Sequence, residues 1–290
     1  MSLFESIKYA TFYSKGQKDQ DTHLIIDNKD YKIFIVLDGH GIHGTEYVNS
    51  VKSLLAEKLV TIDYSTDAQT KIKQVFEDIN KVLNVSKYNA TGCTASILFI
   101  LKDKIIVANV GDSDVYMFDD DHNLTLLSGS HSGTNKDEME RLKAFPHTKI
   151  VYATTQGTFD SLVWNDDKMN PFDGAKFHYC KNRMNEPATY ICSKSISNKL
   201  AMTRSLGDYA LKSHGVSWEP EIHEYPLPKS KSQILIASDG FWDSWREEEL
   251  IKELADIEKR KNVHKTSVDL STFYFGKGNA DDNTLIQITF

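Results

Sequence analysis

The stretch Phe34-Ile35-Val36-Leu37-Asp38-Gly39-His40-Gly41 decides how the chain is read. An apolar run long enough for a buried strand stops at a carboxylate, a glycine and a histidine, a place where chemistry gathers. Two further runs stop the same way: residues 105–110 lead into Gly111-Asp112, and residues 234–238 into Asp239-Gly240. A fourth acidic pair, Asp281-Asp282, stands before the last run, residues 284–290. Strands that share a sheet would bring these carboxylates to one edge of it. At about 5 Å and an effective dielectric near 20, two carboxylates repel by roughly 3 kcal/mol, so a cluster of three or four demands cations. The candidate ligands are all oxygen, which selects Mg²⁺ or Mn²⁺ over zinc. Any single Asp-Gly after a strand is as well explained by a turn; four such sites, with a histidine at the first, are not.

At 290 residues the chain has room for a full core, and its net charge of −7, with no dense Lys/Arg stripe, speaks against a nucleic-acid partner. The three cysteines, Cys93, Cys180 and Cys192, show no paired spacing, which argues against a disulfide framework or a cysteine zinc site. Residues 1–13 lack a signal pattern and no apolar run has the length of a membrane span. The expectation is a cytoplasmic monomer without a membrane partner.

Strands are expected at residues 9–13 and 23–26, flanking a polar connection, residues 14–22, that carries Lys15, Lys18, Asp19, Gln20 and Asp21. After a strand at 32–37, a helix is expected at about 43–60, and Ile72, Val75, Phe76, Ile79, Val82 and Leu83 mark a second. Residues 93–101, 105–110, 114–118 and 124–127 read as an antiparallel meander, followed by a polar helix at about 135–145. Residues 146–198 read as an insertion folded against the main body. Beyond it, strands at 222–225 and 233–237 lead to Asp239, and Ser244-Trp245-Arg246-Glu247 has capping-box spacing before a stripe of Leu250, Ile251, Leu254 and Ile257. The pattern predicts one α+β domain over 1–290, with sheets packed face to face and helices outside.

Gly39, Gly41 and Gly44 match the dinucleotide fingerprint G-x-G-x-x-G, with Asp63 following at a suitable distance. Asp38, beside the first glycine, would repel a pyrophosphate, and the chain after Asp63 lacks the strand-helix alternation of a parallel nucleotide fold. His40 and His43 lack the glutamate of a zinc-protease helix.

Leu37-Asp38-Gly39-His40-Gly41, Thr91-Gly92-Cys93-Thr94-Ala95, Ala108-Asn109-Val110-Gly111-Asp112-Ser113, Leu200-Ala201-Met202-Thr203-Arg204-Ser205-Leu206-Gly207-Asp208, Ala237-Ser238-Asp239-Gly240-Phe241-Trp242-Asp243 and Asp282-Asn283 occur in one order along the chain. In that order the set resembles the type 2C metal-dependent protein serine/threonine phosphatases. The resemblance implies an α-β-β-α sandwich of two antiparallel sheets, two Mn²⁺ or Mg²⁺ ions and hydrolysis of phosphoserine or phosphothreonine in a phosphoprotein substrate. Carried over by motif, Asp38 would bridge both ions with the Gly39 carbonyl on one, Asp239 and Asp282 would hold the other, and Asp21 would act through water. Asp112, Asp239 and Asp243 match the place of a third, weaker ion. His40 matches the general acid, and residues 146–198 match the flap beside the active site. Three positions depart from the family: Gln20 stands for a glutamate, the phosphate-gripping arginine falls on Gly16, leaving Lys15 or Lys18 to substitute, and Ile42 replaces a glycine. The alternative is a phosphatase-like protein that binds a kinase or phosphoprotein without turnover.

Overall fold

Runs that are apolar at every position need cover on both faces, and here two sheets lie face to face with helices outside. The computed structural model describes residues 3–154, 156, 158–161, 179–181, 186–193, 196–228, 231–276, 278 and 280–290. In chain order, helix α1 (Leu3–Ser6) and strands β1 (Lys8–Ser14), β2 (Asp21–Asp27) and β3 (Lys32–His40) precede helices α2 (Gly44–Leu59) and α3 (Ala68–Val82). Strands β4 (Gly92–Cys93), β5 (Ala95–Ile100), β6 (Lys104–Val110), β7 (Val115–Phe118) and β8 (Leu124–Leu126) lead to helix α4 (Lys136–Leu142). Next come β9 (Thr148–Ala153), β10 (Phe159–Ser161), β11 (Tyr179–Lys181), β12 (Glu186–Pro187), β13 (Thr189–Ser193), β14 (Ile196–Leu200), β15 (Leu206–Gly207) and helix α5 (Tyr209–Lys212). Strands β16 (Glu221–Pro226) and β17 (Gln233–Ala237), helices α6 (Asp239–Trp242), α7 (Glu247–Ala255) and α8 (Val263–Phe275), and strand β18 (Asn283–Thr289) complete the order.

One sheet runs β15-β4-β3-β5-β6-β16 with β2 on the other side of β3, and the second runs β1-β18-β17-β7-β8. The neighbours of β3 are all antiparallel, so the glycine fingerprint at Gly39 does not sit in a parallel nucleotide fold. Alternation along β3 sends Ile33, Ile35 and Leu37 against Val48, Val51 and Leu55 of α2 and Ile72 and Phe76 of α3. The intervening Phe34 and Val36 meet Ile234, Ile236, Ile286 and Ile288 of the second sheet. On the far face of that sheet, Leu235, Ala237 and Leu285 pack with Trp242, Trp245, Leu250 and Leu254. This is the expected α-β-β-α sandwich. Extended by the same period of two, Asp38 falls on the Phe34 and Val36 face and Thr284 on the Ile286 and Ile288 face. The inter-sheet core therefore ends in polar groups.

Four expectations need correction. Strand β3 does not stop at Leu37 but runs to His40, because β4 continues the ladder with Gly39 opposite Cys93 and His40 opposite Gly92. The meander is divided: β5 and β6 lie in the first sheet, β7 and β8 in the second. Gly111 makes the crossing at φ +103°, so near Thr94 that a Cβ would lie 2.6 Å from its Cγ2. Ser244 does not cap α7; its hydroxyl donates to Gly240 O at 2.7 Å, Arg246 holds the cap position without a side-chain bond, and Ile257, past the helix end, is 66% exposed. The polar helix is only α4, two turns long. Within the insertion, β10-β9-β13-β14 form a separate sheet, with Leu142, Ile150, Ile191, Leu200 and Met202 in the core against it, and β11 pairs with β12; residues 155, 157, 162–178, 182–185 and 194–195 of the expected flap lie outside the described residues.

Candidate active site

Separate chain segments bring carboxylates to the mouth of the inter-sheet core. The β2–β3 register sets Asp21 opposite Asp38. From β18, the Thr284 hydroxyl donates to Asp21 Oδ2 at 2.7 Å. Asp38 is fixed through its backbone, its N–H donating to Thr94 Oγ1 at 3.1 Å and its carbonyl accepting the Thr94 N–H at 2.9 Å. Asp239 begins α6, and Gly240 lets that helix press on β18, since a Cβ there would lie 2.0 Å from Asp282 O. Burial pushes the Asp38 carboxyl well above the usual carboxylate range, and the charges of Asp21, Asp239, Asp281 and Asp112 push the same way. Asp21 is pushed up to about 7, chiefly by burial; hydrogen bonds from Ser238 and Thr284 oppose the rise and the charges of Asp282 and Asp281 add to it. Carboxylates that raise one another in this way are not neutralised by the surrounding chain.

Asp282 is held differently. Its Oδ1 accepts the N–H groups of Gly16 at 2.7 Å and Asp19 at 3.1 Å, and its Oδ2 accepts that of Gln20 at 2.6 Å. Oδ2 retains a lone pair for a further partner. The wrap requires glycine at position 16, where a Cβ would lie 2.2 Å from the Asp281 carbonyl carbon. An arginine has no room there in this loop conformation.

A cleft of about 710 Å³ opens on this mouth. Of the residues singled out in the sequence, Lys18, Asp38, Gly39, His40, Asp239 and Asp243 line it. Asp21 and Asp282 stand beside these residues without lining the cleft, and Asp112 is fully buried yet within electrostatic reach of Asp38. Lys15 is turned elsewhere: it pairs with Asp19 at 2.8 Å and its side chain is 61% exposed. Lys18 faces the acids, its ammonium pKa raised first by Asp281, with burial opposing and Asp38, Asp239 and Asp282 adding. From the β13–β14 side and the segment after it, the lining residues include Ala188, Tyr190, Leu200 and Met202.

Two lining residues, Asp281 and Asp208, received no ligand or catalytic role from the sequence, although Asp281 belongs to the acidic pair noted there. Asp281 opens on the cleft where its neighbour Asp282 does not; two adjacent acids give no sign of which one turns inward. Asp208 meets His40, with its Oδ2 at 2.7 Å from Nε2. A signal for Asp208 existed, since Leu206-Gly207-Asp208 repeats the apolar-Gly-Asp pattern of Val110-Gly111-Asp112.

The donor set fits a hard divalent cation. It is all oxygen, it carries excess negative charge, and beside it Gln20 Oε1 is buried with no hydrogen-bond partner among the described residues, while Gln20 Nε2 donates to Gly41 O at 2.7 Å. An acceptor left without a donor suits water carried by a cation. Among the described residues, no three His, Cys, Asp or Glu side chains converge closely enough to enclose one ion.

The profile of the family described as Protein phosphatase 2C matches residues 10–150 and 181–281. A "Probable protein phosphatase 2C 35" of Arabidopsis thaliana is 31% identical over 242 residues, covering 79% of this chain and 66% of the relative. "Protein phosphatase 1L" of Bos taurus is 28% identical over 308 residues, covering 99% of this chain and 73% of the relative. Among solved structures, the serine-threonine phosphatase 2C of Toxoplasma gondii superposes with a TM-score of 0.69 at 17% identity, covering 98% of this chain and 95% of that one. The catalytic domain of a serine threonine protein phosphatase in complex with 2 manganese ions superposes with a TM-score of 0.59 at 15% identity, covering 98% and 97%. These two structures share the sandwich. With the matched profile covering 10–150 and 181–281, well over half of the chain and every carboxylate of the acidic mouth except Asp282, the chain belongs to the protein phosphatase 2C family.

Proposed function

We propose that the chain removes phosphate from phosphoserine and phosphothreonine in proteins, with water as the attacking group and Mn²⁺ or Mg²⁺ as cofactor. The observation that carries this reading is a set of mutually repelling carboxylates on a cleft that also holds His40 and Lys18. Asp38, the Gly39 carbonyl, Asp21, Asp239 and Asp282 would hold two ions, and Asp112, Asp239 and Asp243 a third, weaker one. When bound, the ions supply an activated water and positive charge against the phosphoryl oxygens. Lys18 draws the phosphate toward the acidic mouth as a point charge, without the bidentate grip of an arginine. His40 gives a proton to the seryl or threonyl oxygen as its bond to phosphorus breaks and the bond from water forms. That alkoxide is a poor leaving group, and a general acid contributes about 10² to 10⁴ in rate.

Phosphate release from a phosphothreonine peptide, measured with Mn²⁺, with Mg²⁺ and with chelator, tests the reading. Release is expected only with an ion, and undiminished release under chelator overturns it. His40→Ala is expected to slow the peptide by about 10² or more and p-nitrophenyl phosphate much less, because nitrophenolate departs without a proton. One observation favours a second reading, a phosphoprotein-binding protein without turnover: the chain packs Gly16 against Asp281 where the family has its arginine, and Gln20 replaces an acid. Peptide binding with no release under either ion supports that reading.

A further inference from the structure

The short strands β4 and β15 extend the first sheet by only two residues each, β4 against Gly39 and His40 and β15 against β4. His40 pairs with Gly92 on β4, and Gly92 pairs with Gly207 on β15, immediately before Asp208. Asp208 is 2% exposed and adopts a left-handed backbone conformation at φ +49°, which costs a non-glycine residue on the order of 1 kcal/mol and recurs where geometry serves a function. Its N–H donates to Thr91 O at 2.9 Å, which locks the turn. Its Oδ2 accepts from Ser205 Oγ at 2.7 Å and meets His40 Nε2 at 2.7 Å. Gly92 is the residue that lets them meet: a Cβ there would lie 2.3 Å from Asp208 Oδ2 and 2.9 Å from His40 Nε2. Behind this pair Lys212 Nζ donates to Ser205 O at 2.5 Å and lies 3.4 Å from Ser205 Oγ.

We propose that Asp208, steadied by Ser205, is the positioning residue of His40, fixing the imidazole so that Nδ1 is the nitrogen that delivers the proton to the leaving oxygen. The proposal rests on the reading of His40 as proton donor. An ionised carboxylate only accepts, so the hydrogen of the shared bond belongs to Nε2. That leaves Nδ1, which has no hydrogen-bond partner among the described residues; it is covered in the free chain, on a side chain that lines the cleft, so the leaving oxygen meets it only once bound substrate uncovers it. In the transfer, Nδ1 releases its proton to the seryl or threonyl oxygen as the P–O ester bond breaks, and the ring is left neutral with its hydrogen on Nε2, still facing Asp208. An amide at position 208 can turn its NH₂ to Nε2 and so select the opposite tautomer.

The test uses the full chain at saturating Mn²⁺ with two substrates, a phosphothreonine peptide and p-nitrophenyl phosphate, on Asp208→Asn, Ser205→Ala, His40→Ala and the double variant His40→Ala/Asp208→Asn. Asp208→Asn is expected to lower kcat on the peptide by about 10²-fold and on p-nitrophenyl phosphate by a few-fold, with KM for each within about twofold. Ser205→Ala should follow in the same direction by about tenfold or less, and it decides the matter where Asp208→Asn does not fold. In the His40→Ala background, Asp208→Asn should cost nothing more on the peptide, because its effect passes through the ring. Equal losses on both substrates, or additive losses in the double variant, overturn the proposal and leave Asp208 a tie between short strands. Failure of the wild-type chain to release phosphate with either ion is a different result, and it removes the general-acid reading itself.

Discussion

The acidic mouth and the α4 helix treat buried carboxylates in opposite ways. At the mouth, Asp21 and Asp38 stand above the ordinary carboxylate range because burial and further acids both press on them. On α4, Glu138 is 2% exposed yet held well below that range: burial raises it, but Arg141, Arg204 and Thr203 together outweigh the burial. Arg141 Nη2 donates to Glu138 Oε2 at 2.8 Å and Arg204 Nη2 to Oε1 at 2.6 Å, so α4 is tied to the segment that leads on to Asp208. One type of group thus has two uses. A buried acid answered by arginines of the same chain is a structural tie, and acids that outnumber the one lysine facing them are a place for cations.

The largest effect that can break this contrast is Asp239→Asn. It removes a negative charge that presses on Asp38, so turnover should fall by more than about 10²-fold even at saturating Mn²⁺. The melting temperature of the metal-free protein should hold or rise, because the lost charge was repelling its neighbours. Near-normal rates in Mn²⁺ would show that the acids at the mouth are not ligands.

Glu138→Gln probes the other arrangement. It leaves Arg141 and Arg204 without their carboxylate at almost constant volume. Breaking a fully buried pair costs about 3 to 5 kcal/mol; the arginine side chains here are 28% and 15% exposed, so a loss of about 2 to 3 kcal/mol in urea unfolding is expected. A change within about 0.5 kcal/mol would mean that solvent, and not Glu138, balances the arginines.

Acid should act on the two places with opposite signs. Glu138, lowered in the folded state, contributes stability above its ordinary pKa of 4.5 that is lost as pH falls. Asp21, raised in the folded state, contributes stability that is present below 3.8 and lost as pH rises toward about 7. The metal-free protein should therefore gain stability from pH 7 down to pH 5, and bound Mn²⁺ should flatten that slope by offsetting the acids. Urea midpoints at the two pH values, with and without Mn²⁺, measure it; identical slopes would mean that the ion does not contact these carboxylates.

Much of this was legible in the chain because period-two runs such as residues 33–37, apolar on both faces, require cover on both sides, and two layers of helix around two sheets provide it. The strand-ending acids were legible for the same reason, since a buried run can turn polar only where the core ends. What stayed hidden depends on contacts between distant residues. Gly111 carries the chain from one sheet to the other, yet in sequence it looks like any hairpin turn. Ser244 has the spacing of a cap but is drawn to Gly240 O by the packing of α6. The loop that decides between Lys15 and Lys18 is shaped by Asp282, whose carboxylate accepts its N–H groups from more than two hundred positions away.

That loop gives the smallest and finest test of the contrast. Lys18 lines the cleft and is drawn to the acids, whereas Lys15 is bound to Asp19 in an exposed pair that solvent screens. Lys18→Ala should raise KM for a phosphothreonine peptide by about fivefold with kcat within about twofold, as expected when a contact is equally strong in ground and transition states. Lys15→Ala should leave both constants unchanged. Lys18→Arg, which adds a planar fork to the same position, should bring KM to or below the wild-type value. If Lys18→Ala is silent, the cation that meets the phosphate lies elsewhere on the cleft, and Lys199, which lines the same cavity, is the next residue to change. If Lys15→Ala equals Lys18→Ala, the loop rearranges when phosphate binds, and the grip of Asp282 on Gly16, Asp19 and Gln20 is what must loosen to allow it.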